Sequence, residues 1–203
     1  LLSGCWSQDG ARSPLPGVVG PRGEVLVVCA DEVWAGEVGD SLRSALQRPY
    51  PVLPQMHMEN YEPMFDVVQK PLEEFNKFWK PHRNVIVIDI ADRKDTQEPS
   101  FKFFKSRYAM GQTFIEGKAR TQHELALKIS ERSLELESYI HKKEVDRSAG
   151  ITRLSTDEAV ERDVLAIIGV SMSVPKGTYV VVLDSAFTWL DRQQTRFKGS
   201  NNH

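Results

Sequence analysis

With 203 residues, Lys+Arg 26 against Asp+Glu 28 and a formal net charge of -2, the chain has room for one domain, or one and a half. That charge balance lacks the basic face that nucleic-acid binding needs, so no nucleic-acid partner is expected. A hydrophobic share of 40% and a charged share of 27% are those of an ordinary globular chain, able to bury about 70% of its unfolded surface without staples, and no apolar run reaches the roughly 18 residues of a spanning helix.

The chain opens LLSGCWSQDG. Leu2-Ser3-Gly4-Cys5 resembles the lipobox of bacterial lipoproteins, an aliphatic residue and two small ones ahead of a cysteine. Small residues let extended backbone enter the peptidase that cuts at such sites. The resemblance implies a diacylglycerol on the Cys5 thiol, a membrane as partner through that group, and a place in the cell envelope. Gly10, Pro14, Pro16, Gly17, Gly20 and Pro21 follow, a composition that makes a tether and no helix. Residues 1–22 therefore read as signal-peptide remnant, lipobox and flexible linker, and 23–203 as a single domain. The plainer reading is a free thiol on a frayed terminus. An acylated Cys5 cannot form a disulfide with Cys29, the other cysteine, which sits in an apolar strand and reads as a buried thiol without a role.

From there the elements follow in order. Glu24 to Ala30 is a strand, Asp31 to Trp34 turns out of it, and Gly39 starts a helix that stops before Pro49, with Asp40 as its cap. Phe65 to Gln69 is a short strand. Pro71 opens a helix with Leu72, Phe75, Phe78 and Trp79 on its apolar face. Asn84 to Ile90 (NVIVIDI) is an unbroken β-branched run, a strand buried on both faces. Ala91 to Ser100 is a charged loop, and Met110 to Glu116 returns as a strand. Apolar positions through Ala126, Ile129, Leu136 and Ile140 predict one long helix near 121–146. Ser155 and Glu158 suggest a capping box for a helix closed by Gly169. Val170 to Val174, Tyr179 to Asp184 and Phe187 to Leu190 read as strands. The class is α+β, with a mixed, largely antiparallel sheet packed by helices. The polar end Arg196 to His203 suggests a domain truncated at its C-terminal end.

GEVLVV, Trp34 to Leu42 (WAGEVGDSL), LPQ at 53–55, EPMFD at 62–66, RNVIVIDI at 83–90 and Val174 to Arg192 occur in that order. As a set they resemble the uncharacterised lipoproteins of Bacteroidetes-type bacteria known as domain of unknown function 4837. The resemblance implies an envelope lipoprotein, and it carries over no activity and no catalytic residue.

The search for chemistry returns little. His57, His82, His123, His141 and His203 are spread singly, where a zinc site needs three or four convergent ligands, so no metal or other cofactor is expected. Gly169-Val-Ser171-Met-Ser173 misses the nucleophile elbow by its last residue and its setting. Asp89, Asp92 and Asp95 lack the calcium-loop spacing. The glycines of Trp34-Ala-Gly36-Glu-Val-Gly39 follow a strand, yet Glu37 and Asp40 would repel a phosphate, so they read as turn geometry. Trp34 and Trp189 are the candidate binding surface. The reading is a lipid-anchored envelope module that works by binding or assembly. Two alternatives stay open: an envelope hydrolase whose site is assembled from distant residues, with Asp89 or Asp184 meeting a histidine, or from a missing C-terminal part, and a soluble domain with no anchor at all.

Overall fold

The computed structural model describes residues 14–50, 62–91 and 98–192. Their contacts gather into two compact units, one running to Lys143 and the other starting at Glu144, where the sequence reads as one domain.

The first unit is built on a five-stranded sheet. Its strands are β1 (Glu24–Val28), β2 (Asp66–Lys70), β3 (Asn84–Ile90), β4 (Ser100–Lys105) and β5 (Thr113–Ala119), in the spatial order β2-β1-β3-β5-β4. β1 pairs in parallel with β2 and β3, and β3 with β5; β4 alone runs antiparallel, along the free side of β5. The chain is α+β with a mixed sheet packed by helices, as its sequence implies, but in this sheet parallel pairing dominates over the expected antiparallel pairing. The reason lies in the connections. A parallel pair needs a crossover longer than a hairpin turn. β1 reaches β2 through α1 (Asp31–Trp34) and α2 (Glu37–Leu46), and the segment 71–83 carries the chain past β1 to β3.

The strands then sort their side chains by parity. Val25, Val27, Ile86 and Ile115 point to the face covered by α2, by α3 (Gln122–Glu131) and by the first turns of α4 (Ser133–Arg153). Leu42, Leu46, Leu125, Ile129, Leu136 and Ile140 close over them with no exposure. Burial on that scale contributes about 1.5–3 kcal/mol per side chain and holds this face together. On the opposite face Leu26, Val28, Val85 and Phe114 are covered by Phe75, Trp79, Phe104 and Tyr108.

Three local expectations in the first unit are corrected, and one strand is added. The segment after Pro71 forms only a 3-10 turn, Leu72–Glu74; Phe75 leaves helical geometry at ψ 70°, and the Asn76 side chain accepts from the Phe78 amide. The long helix is two, interrupted at Arg132 (φ -107°, ψ 19°), although the apolar stripe continues in phase from Ile129 to Leu136. Helix α2 is capped by Gly36, and Asp40 sits inside its first turn bonded to Arg43 at 2.6 Å. Strand β4 was passed over, although Phe101 and Phe103 against Lys102 and Phe104 alternate as a strand should.

The second unit holds α5 (Glu158–Ile168) and the hairpin β6 (Tyr179–Leu183) to β7 (Thr188–Asp191). Asp157, not Ser155, caps α5, its carboxylate accepting from the Val160 amide at 3.3 Å, and Gly169 ends it at φ 76°. Val170 to Val174 is not a strand. The following Pro175 only bridges to Thr156, while the Glu161 carboxylate accepts from the Val174 amide at 2.9 Å. Among the described residues of this unit, Val164 and Val174 are the buried apolar ones, a small core.

Candidate functional site

The two candidate tryptophans have opposite surroundings. Trp34 ends α1 and packs, half-buried, against the core of the first unit. The Arg43 guanidinium lies 4.5 Å over its ring and donates to its carbonyl at 3.2 Å. Gly39 makes this possible, because a Cβ there would stand 1.8 Å from the Trp34 carbonyl oxygen. The indole under Arg43 and the backbone approach at Gly39 thus hold α1 against α2. The Trp-x-Gly-x-x-Gly spacing, read from sequence as turn geometry, is a close backbone approach.

Trp189 lies on β7 and is 53% exposed. The hairpin register pairs Trp189 with Val182 and Asp191 with Tyr179, with a bulge between Val180 and Val182. Alternation along β7 puts Trp189 and Asp191 on one face, so Tyr179 and Val182 share it. Tyr179 is 58% exposed and Phe187, at the tip, 59%. The Asp184 carboxylate builds that tip, accepting from the amides of Ala186 and Phe187 at 2.8 Å. Three aromatic rings, each more than half exposed, leave on the order of 300 Å² in water. That is already the size at which a patch on a monomer is commonly functional. Tyr179 and Phe187 were not singled out from sequence. The signal was the run YVVVL, apolar on both faces of a strand, within a hairpin too small to cover either.

The other sequence candidates are dispersed. Cys5, His57, His203, Asp92 and Asp95 lie outside the described residues. His82 is 2% exposed with Nε2 3.3 Å from Glu24 Oε1, His123 pairs with Glu37 at 2.8 Å on the surface, and the ring of His141 lies 6.4 Å from that of Tyr50. Asp89 faces Lys118 at 3.8 Å, and Asp184 is spent on the hairpin tip, so neither meets a histidine in these pairings. Ser171 is exposed on an irregular segment. Among the described residues no group of three or more His, Cys, Asp or Glu could hold a metal ion. Cys29 is free and buried, and burial together with the nearby Asp31 carboxylate pushes its thiol up to about 11. At neutral pH it is a protonated thiol, the weak form for nucleophilic work.

No described helix is long and apolar enough to cross a membrane. Comparison with the curated proteins and with the solved structures gives no match. Among protein families, a domain of unknown function, DUF8532, matches residues 18–153. The match overturns the resemblance to domain of unknown function 4837; GEVLVV and RNVIVIDI, two of the motifs behind it, are the apolar β-branched runs that buried strands such as β1 and β3 require in any family. The hairpin carrying Trp189 lies beyond the matched stretch. Since that stretch takes in well over half of the 203 residues, the chain belongs to the DUF8532 family.

Proposed function

We propose that the chain is a binding module held at a membrane by an acylated Cys5, with the open face of the β6–β7 hairpin as its contact surface for a protein partner. The observation that carries the reading is the exposure of Tyr179, Phe187 and Trp189 together on one small hairpin. Aromatic side chains are the residues that most often anchor protein interfaces, through large area at low entropic cost. The face calls for an apolar protein surface as its partner, since Asp191 is its one charged position among the paired residues.

The anchor is supported by the Leu2-Ser3-Gly4-Cys5 motif itself. An attached diacylglycerol supplies two acyl chains, and two chains hold a protein stably where one does not. The test is the intact mass of the protein made from its full gene in a bacterial host, beside Cys5→Ser. A diacylglycerol-sized gain and detergent partitioning in the parent alone support the anchor; an unmodified parent, in a host that processes other lipoproteins, removes it.

A further inference from the structure

Three stretches distant in sequence meet at the amino-terminal ends of the parallel strands in the first unit. They are residues 14–23, 76–83 and 105–112. The Met110 amide donates to the Pro16 carbonyl at 2.7 Å, the Val19 amide to the Pro81 carbonyl at 3.0 Å, and the Arg83 amide to the Val19 carbonyl at 3.0 Å. The Gln112 side chain donates to the carbonyls of Lys80 and His82 at 2.6 and 2.7 Å. The stretches are therefore one surface.

Its exposed apolar groups are large: Phe78 at 72%, Met110 at 63%, Val19 at 47% and Leu15 at 41%. The charge that the three stretches themselves bring has one sign. None of the three stretches contains Asp or Glu, and they carry Arg22, Lys77, Lys80, Lys105 and Arg107 on their accessible side. Lys77 lies 5.3 Å over the Phe78 ring, and Lys80 and Arg107 lie 5.4 and 5.8 Å over Tyr108. Three carboxylates reach this end from neighbouring strands: Glu116, paired with Arg107 at 3.1 Å, Glu24, beside His82, and the exposed Asp66 at the start of β2, whose amide donates to the Gly23 carbonyl at 3.0 Å.

We infer that this end of the first unit docks on an anionic membrane surface, with Phe78 and Met110 entering the boundary between headgroups and acyl chains and the cations meeting the headgroups. Apolar side chains ringed by Lys and Arg are the composition of interfacial contacts, where long cationic stems lie along the apolar layer and keep their charge at headgroup level. Cations and aromatics also suit single-stranded nucleic acid. Here, though, Tyr108 is already stacked by Lys80 and Arg107 and Phe78 by Lys77, and Met110, Val19 and Leu15 offer no ring for a base. The surface is also where the tether arrives: Cys5 and Pro14 are nine residues apart, at most about 30 Å of chain. In that last respect alone the inference rests on the proposed anchor.

The test uses the full chain carrying Cys5→Ser, so no acyl chain contributes, co-sedimented with phosphatidylcholine vesicles that contain or lack phosphatidylglycerol. Binding is expected on the anionic vesicles only, and it weakens with salt. Lys77→Glu with Lys105→Glu should weaken it by at least about fivefold per cation. Phe78→Ser with Met110→Ser should weaken it without shifting the thermal melt, since both side chains are exposed. No binding, equal binding to neutral vesicles, or binding untouched by both variants overturns the inference. So does a preference for a single-stranded oligonucleotide over the vesicles, which would assign the patch to nucleic acid. An unacylated Cys5 in the parent leaves these readouts unchanged, so the two failures are separable.

Discussion

Gly20 lies directly against His82: a Cβ on residue 20 would stand 2.4 Å from Cε1 of the imidazole, and the glycine backbone is left-handed at φ +98°. The contact ties the segment that follows the tether to the buried polar end of the sheet. There Asn84 donates to the Glu24 carbonyl at 2.9 Å, and the Arg83 guanidinium to the Gly20 carbonyl at 3.3 Å. Gly20→Ala meets two obstacles, since the backbone conformation alone costs about 1–3 kcal/mol for a side-chain-bearing residue. The imidazole must also move from a position that is 2% exposed. Urea denaturation should show a loss of at least about 2 kcal/mol. An unchanged midpoint would contradict this packing.

Glu24, beside that histidine, is held above the ordinary carboxyl value of 4.5, first by burial and then by the Asp66 carboxylate. The folded state therefore binds this proton more tightly than the unfolded state. Between 4.5 and the raised value the folded chain carries more protons, so this group's contribution to stability falls as pH rises through the window. Glu24→Gln has no such titration. Its stability relative to the parent should improve from acid to neutral pH, and hold constant below about 4.5, where both side chains are neutral. Denaturation at several pH values reads the difference, and an opposite slope would mean that His82 attraction outweighs burial.

Cys29 is 2% exposed and its thiol is raised to about 11, by burial first and Asp31 second. Thiol reagents at neutral pH should therefore leave it unmodified in the folded chain and modify it fully in denaturant, when measured on the Cys5→Ser protein. Rapid modification of the folded chain would show an open route to β1. Cys29→Ser trades an apolar contact for a hydroxyl in this core, a change of about 1–3 kcal/mol in the destabilising direction.

The parts of the fold that show in the sequence are those where one local rule acts alone. NVIVIDI becomes β3 at the predicted residues, because an unbroken β-branched run between turn signals has little other use. EVLVV does the same from Glu24, although the strand stops at Val28, two residues short of the expected Ala30. Parallel pairing did not show, because partner choice depends on crossovers whose path no short window contains. The Pro71 helix failed where apolar spacing competed with Asn76, whose side chain captures the Phe78 amide. Trp34 and Trp189 are both aromatics in apolar surroundings along the chain. Only the folded state separates them, since the first packs half-buried on the core under Arg43 while the second stays 53% exposed.

The proposed function places a protein partner on the hairpin face around Trp189. A photoreactive amino acid placed at position 189 in the full chain, in the cells that produce it, tests this directly, with the same group at position 34 as control. A discrete covalent adduct is expected from position 189, lost when Tyr179 and Phe187 are both changed to Ser, and none from position 34. An adduct at twice the chain's mass would identify the partner as a second copy. No adduct from position 189, or equal yields from both positions, would contradict the claim.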